Sequence, residues 1–178
     1  MVARGVELLA VIFSAHANGE FHLGGQRTRC VLGAGGVTSL RLKQEGDKKT
    51  PAGSWPFRRV LYRPDRRPAP ATRLPVSAVE PDDGWCDAPA DPRYNQPVKL
   101  PYPASAETLW REDSLYDLVV VLGYNDDPVV PGKGSAIFLH LARPDGGPTE
   151  GCVALETSDL ERLLALAAPG DSLAVLEP

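Results

Sequence analysis

The chain has 178 residues, 43% of them hydrophobic and 24% charged, with a formal net charge of −4. That is enough for one domain with a proper core, and no basic stripe argues for nucleic acid. No apolar stretch approaches the ~20 residues needed to cross a membrane, and the 18 prolines and 17 glycines exclude a helical bundle.

The first third reads as β. Residues 8–14 are a short, mostly apolar run read as a strand, and Asn18-Gly19 is a hairpin signal before residues 21–23. A signal-peptide reading competes here, because Ala15-His16-Ala17 mimics a cleavage site. Glu7 interrupts the apolar region, and the strand reading is preferred. Residues 29–32 are extended, and residues 39–42 continue a strand. A charged turn from Lys43 to Asp47 then runs into Thr50-Pro51-Ala52-Gly53, and residues 55–62 form a strand with a proline near its start.

Residues 63 to about 115 form a Pro- and Asp-rich insertion, expected to be a long ordered loop with little regular structure. Trp85, Tyr94 and Asn95 lie in it. The last third is more regular, with a β-branched run at 116–122, a turn containing Tyr124 and Asn125, and an apolar run at 136–139 that ends at His140. Arg143, Thr149 and Glu150 occupy the loop between His140 and the Gly151-Cys152 pair. Ser158 and Glu161 have capping-box spacing ahead of a Leu-rich helix, and residues 172–176 form a final strand.

A thiol with a pKa of ~8.5 is mostly protonated at neutral pH, so a nucleophilic cysteine needs a nearby base. A strand ending in His140 and a tight turn at Gly151-Cys152 bring one of each together. Gly151 permits close backbone approach to an oxyanion. The alternative for Cys152 is a small buried hydrophobe. Neither metal-ligand clusters nor His-Glu-x-x-His spacing is present, so no metal is expected, and covalent thiol chemistry calls for no organic cofactor. Three cysteines leave at least one thiol outside any intrachain disulfide, and pairing of Cys30 with Cys86 stays open.

Phe138-Leu139-His140, followed by Thr149-Glu150-Gly151-Cys152-Val153-Ala154-Leu155, resembles the active-site motif of the L,D-transpeptidase catalytic domain, the YkuD-like family. The Thr50-Pro51-Ala52-Gly53 turn, in the right order upstream, resembles that family's second signature. The Thr-Glu-Gly-Cys form is similar to a proteobacterial branch. The resemblance implies a single mainly β domain over residues 1–178, β-sandwich-like, with a few short helices.

It also implies Cys152 as nucleophile, His140 as base and the Leu141 carbonyl as the group orienting the imidazole. The amides of Gly151 and Cys152 would line the oxyanion hole. The implied reaction is acyl transfer on diaminopimelate-containing peptidoglycan stems in the periplasm or cell envelope, giving 3-3 or 1-3 crosslinks, with carbapenems acylating the same thiol. Glu150 stands where the family usually has His, and Ala154 where it has Arg or Asn. Trp85, Tyr94, Asn95, Tyr124, Arg143, Thr149 and Glu150 are candidates for substrate contact. The alternatives are an L,D-carboxypeptidase or endopeptidase on the same stems, and a non-catalytic wall-binding protein.

Overall fold

The computed structural model describes residues 13–178. The expected first strand lies mostly outside that range; its described part begins at β1 (Phe13–His16), which turns through Gly19 into β2 (Glu20–Leu23) and then β3 (Gln26–Arg29). Short β4 (Val37–Thr38) and β5 (Thr50–Pro51) pair with each other, and β6 (Gly53–Tyr62) follows. The middle segment carries β7 (Val76–Ala78), β8 (Asp83–Cys86), β9 (Pro97–Lys99) and β10 (Ala106–Thr108). Next come β11 (Leu118–Leu122), β12 (Phe138–Leu141), β13 (Val153–Leu155), α1 (Thr157–Leu166) and β14 (Ser172–Leu176).

The main sheet has the order β13-β12-β11-β6-β14-β1-β2-β3, with β7 beside β6. The ten-residue β6 joins its two halves. Its first residues pair with β14 and its later ones with β11, so one long strand serves two sheet neighbourhoods. Pro56 sits at the changeover, where a missing N–H is tolerated.

Side chains alternate across this sheet. Leu118, Val120, Leu122, Leu139, Leu141, Val153 and Leu155 point to one face, where Leu160, Leu163 and Leu164 of α1 cover them. Val119, Val121, Phe138 and Cys152 point to the other face, beneath Trp85, Leu109, Leu115 and Tyr116 of the middle segment. The helix is therefore structural, and the second face is where the chemistry can sit.

Several expectations change. The middle segment is not a loop: β8 pairs with β9 and β10 in a three-stranded sheet. Residues 39–42 form a turn, because the amides of Leu42 and Lys43 both donate back to the Ser39 carbonyl at 3.1 Å. Among the described residues there is one helix where several were expected. Its N-cap is Glu156, with no side-chain cap, so Ser158 falls inside the first turn and the capping box does not form. Cys30, Cys86 and Cys152 are all free and buried, so Cys30 and Cys86 do not pair.

Candidate active site

β12 and β13 run parallel, with His140 opposite Ala154. Residue 152 lies two positions before Ala154, so its side chain emerges on the same face as that of His140, as a diagonal neighbour. Both side chains are buried, His140 at 5% exposure and Cys152 at 7%. Both line a cavity of about 420 Å³.

The turn that presents Cys152 is held by hydroxyls and glycines. Thr149 Oγ1 donates to the Cys152 carbonyl at 2.6 Å and accepts the Gly151 amide at 3.1 Å. Thr50 of the upstream turn reaches the same carbonyl at 3.4 Å while accepting the Gly33 amide at 2.9 Å. The two sequence blocks are thus parts of one structure. Gly151 has φ +133°, and a Cβ there would stand 3.0 Å from the Lys49 carbonyl. At Gly33 a Cβ would stand 2.3 Å from the Lys48 carbonyl, so no side chain fits.

The thiol donates to the Ala136 carbonyl at 3.2 Å, and the sulfur accepts the Phe138 amide at 3.3 Å. Ala136 has φ 50°, a left-handed conformation uncommon for a residue with a Cβ. Asn95 supports it by accepting the Ala136 amide at 3.0 Å. His140 Nδ1 lies 2.8 Å from the Leu141 carbonyl. A carbonyl only accepts, so the ring proton sits on Nδ1 and Nε2 keeps its lone pair. The Tyr116 ring stands edge-on to the imidazole, centroids 5.3 Å apart.

Burial controls the charges here. Loss of water lowers His140 to a pKa of about 4 despite its bond to Leu141. Burial and then the Glu107 carboxylate push the Cys152 thiol up to about 12, against the opposing Phe138 amide and Lys43. The free site therefore holds a neutral thiol beside a neutral imidazole.

Arg143, Thr149 and Glu150 line the cavity, Thr149 buried and the other two exposed, with Glu150 paired to Lys48 at 3.2 Å. Trp85, Tyr94, Asn95 and Tyr124 are not among the lining residues; all four are buried and bonded within the protein. Asn95 accepts the Trp85 indole at 2.9 Å and donates to the Tyr124 carbonyl at 3.0 Å. Tyr94 donates to Glu45 at 2.5 Å, and Tyr124 donates to the Lys133 carbonyl.

Sequence reasoning did not single out Glu107, Tyr116, Arg111, Asp87 and Glu45, which also line the cavity. They come from three parts of the chain: the Lys43–Asp47 turn gives Glu45, the middle segment gives Asp87, Glu107 and Arg111, and Tyr116 precedes β11. Only the tertiary fold gathers them around the cavity with Cys152. Lys43, a lining residue at 2% exposure, is held by Asp47 at 2.5 Å. Among the described residues, Glu80, Asp82 and Asp83 are the carboxylates close enough to share a metal ion. They already surround the Lys99 ammonium at 2.5–2.8 Å.

A buried thiol, a neutral imidazole of fixed tautomer and a glycine turn on a β scaffold form an arrangement chemically suited to cysteine acyl transfer. The family model for the L,D-transpeptidase catalytic domain (YkuD) matches residues 16–175, and the chain belongs to that family, whose members act on peptidoglycan peptides. No curated protein and no solved structure matches the chain.

Proposed function

We propose that the protein is a peptidoglycan L,D-transpeptidase working through a thioester on Cys152. The observation that carries this reading is the pairing of Cys152 and His140 on one sheet face inside one cavity, with Nε2 of the imidazole left as acceptor. The thiol attacks the diaminopimelate carbonyl of a donor stem, and its proton passes to His140 Nε2. The oxyanion is received by the amides of the Gly151-Cys152 turn. Collapse of the tetrahedral intermediate breaks the C–N bond, and His140 returns the proton to the departing amine. An amine of a second stem then attacks the thioester, giving a 3-3 link from diaminopimelate or a 1-3 link from L-Ala. Arg143 and Glu150, exposed on the cavity wall, are suited to the charged ends of the stems. Such a substrate lies in the periplasm or cell envelope, where the proposed reaction would take place.

The test is incubation with defined tetrapeptide muropeptides and sequencing of the products by tandem mass spectrometry. Crosslinked dimers with loss of the donor's terminal residue are expected, together with an acyl adduct mapped to Cys152. Cys152→Ala abolishes both, and His140→Ala slows turnover by roughly 10²–10⁴-fold. A carbapenem adduct on Cys152 is expected in the same assay. Loss of the terminal residue without dimers would indicate a carboxypeptidase; intact substrate would overturn the enzyme reading.

A further inference from the structure

The wall of the cavity contributed by the middle segment is acidic, which is unhelpful for the first half of a thiol reaction. Glu107 is the central residue of β10, opposite Trp85 of β8, and its carboxylate lines the cavity with Cys152 and His140. It accepts the Tyr116 hydroxyl at 2.6 Å, and Tyr116 in turn abuts the His140 ring. The nearest cation, Arg111, is 3.9 Å away and committed to Asp113 through bonds of 2.8 and 2.6 Å. Asp87 and Glu45 line the same cavity, and Asp87 Oδ1 is buried without a hydrogen-bond partner. A carboxylate in this position opposes thiolate formation at Cys152.

The second half of the reaction has the opposite need. Its nucleophile is a primary amine that arrives as an ammonium and cannot attack until it loses a proton. Resting on the acyl-transfer reading above, we propose that Glu107 is the catalytic residue that receives the acceptor's ammonium and takes its first proton. The acceptor R–NH3+ gives one proton to the Glu107 carboxylate, leaving R–NH2 and a carboxylic acid. The amine lone pair forms the C–N bond at the thioester carbonyl, and its second proton passes to His140 Nε2. The C–S bond breaks with its electron pair on sulfur, which His140 reprotonates. One amide, one thiol and one proton on Glu107 result, and Glu107 releases that proton to solvent.

The groups facing Glu107 fit this role. Burial raises its pKa above the ordinary carboxylate value, as do Asp87 and Glu45, while Tyr116 and Arg111 oppose the rise. A carboxylate so placed is a better proton acceptor than an exposed one. The ammonium also brings Glu107 a cation closer than the committed Arg111, and offers a donor to the unpartnered Asp87 oxygen.

The experiment separates the two halves in Glu107→Gln. Thioester formation from donor stems is followed by intact mass and release of the terminal residue. Aminolysis against hydrolysis of the thioester is followed across acceptor concentration and pH. Thioester formation is expected at the wild-type rate or faster. The acceptor KM rises about tenfold or more, the lost charged contact being worth that much, and product shifts from dimer to hydrolysed stem. Crosslinking recovers as pH rises toward the pKa of the acceptor amine, and Glu107→Asp restores part of the neutral-pH activity. An unchanged acceptor KM and pH profile overturns the proposal. So does an equal loss in both halves, which would make Glu107 a support of the whole site. If the wild-type protein forms no thioester at all, the acyl-transfer reading itself fails, a result distinct from either outcome in the variant.

Discussion

The neutral thiol–imidazole pair makes a quantitative prediction about reactivity without substrate. With Cys152 pushed up to about 12 and His140 lowered to about 4, both groups are uncharged at every pH between those limits. At pH 7 a thiol of pKa 12 is ionised to about one part in 10⁵, against about 3% for a free cysteine of pKa ~8.5. The more basic thiolate is the better nucleophile, which by a Brønsted slope of ~0.4–0.5 recovers about 30-fold. Alkylation of Cys152 by iodoacetamide at pH 7 should therefore be about 100-fold slower than that of free cysteine. The logarithm of the rate should rise with unit slope from pH 6 to 9, and His140→Ala should leave it unchanged. Modification must be mapped to Cys152 by peptide mass, since Cys30 and Cys86 are thiols too. A rate plateau below pH 8 that vanishes in His140→Ala, or a rate at pH 7 matching free cysteine, would refute the reasoning. Either would mean that a thiolate–imidazolium pair exists in the free protein.

The same burial gives His140 a role in acid stability. Its folded pKa lies below the unfolded value of ~6.5, so its contribution is full above that value and is lost as pH falls toward 4, amounting to ~3 kcal/mol. In urea melts His140→Gln should flatten the decline between pH 6.5 and 4, and an unchanged slope would count against a buried neutral imidazole. Thr50→Val strands the Gly33 amide and removes a bond to the Cys152 carbonyl. The urea midpoint should fall by the equivalent of ~1–3 kcal/mol, with Thr50→Ser close to wild type. Asn95→Ala leaves the Trp85 indole and the Ala136 amide without their acceptor. A loss of ~2–3 kcal/mol is expected, which for this length lowers the melting temperature by about 5–10 °C. Crosslinking should fall further than stability alone accounts for, because Ala136 positions the thiol.

The strands that could be anticipated were those whose own residues carry the signal. Asn18-Gly19 makes its hairpin, and the β-branched run at 118–122 fills the centre of the sheet. The juxtaposition of His140 and Cys152 is legible because they share a short segment with a glycine turn. The middle segment was opaque for a physical reason. Strands of three or four residues have too few positions to display a two-residue period, and β9 begins at a proline. Its order comes from tertiary contacts: the Cys86 amide donates to the Gln96 carbonyl, the Asn95 amide donates to the Cys86 carbonyl, and the Asn95 side chain ties the segment to Ala136. Tyr94, Asn95 and Trp85 drew attention as polar aromatics and amides beside a cleft. Their polar atoms are used inward, which only the folded pairing reveals. Glu107 lies in an Ala-Glu-Thr stretch that no motif distinguishes, and its place beside the thiol depends on contacts far apart in the chain.

On the proposed acyl-transfer mechanism, the oxyanion site also needs an exchange of partners. In the free protein the Gly151 amide donates to Thr149 Oγ1 at 3.1 Å, a long neutral bond. A tetrahedral intermediate offers a charged oxygen in its place. Breaking the neutral bond costs about 1 kcal/mol, while one donor to an oxyanion in a water-poor site contributes about 3–4 kcal/mol. The exchange is therefore favourable once negative charge develops on the carbonyl oxygen, and not before. Thr149 keeps its own donation to the Cys152 carbonyl throughout, so the turn holds its shape while one amide changes partner. The neutral thiol, the neutral imidazole and the occupied amide share one property. Each becomes favourable to charge only when the substrate carbonyl is in place, which confines the reactive state to the loaded site.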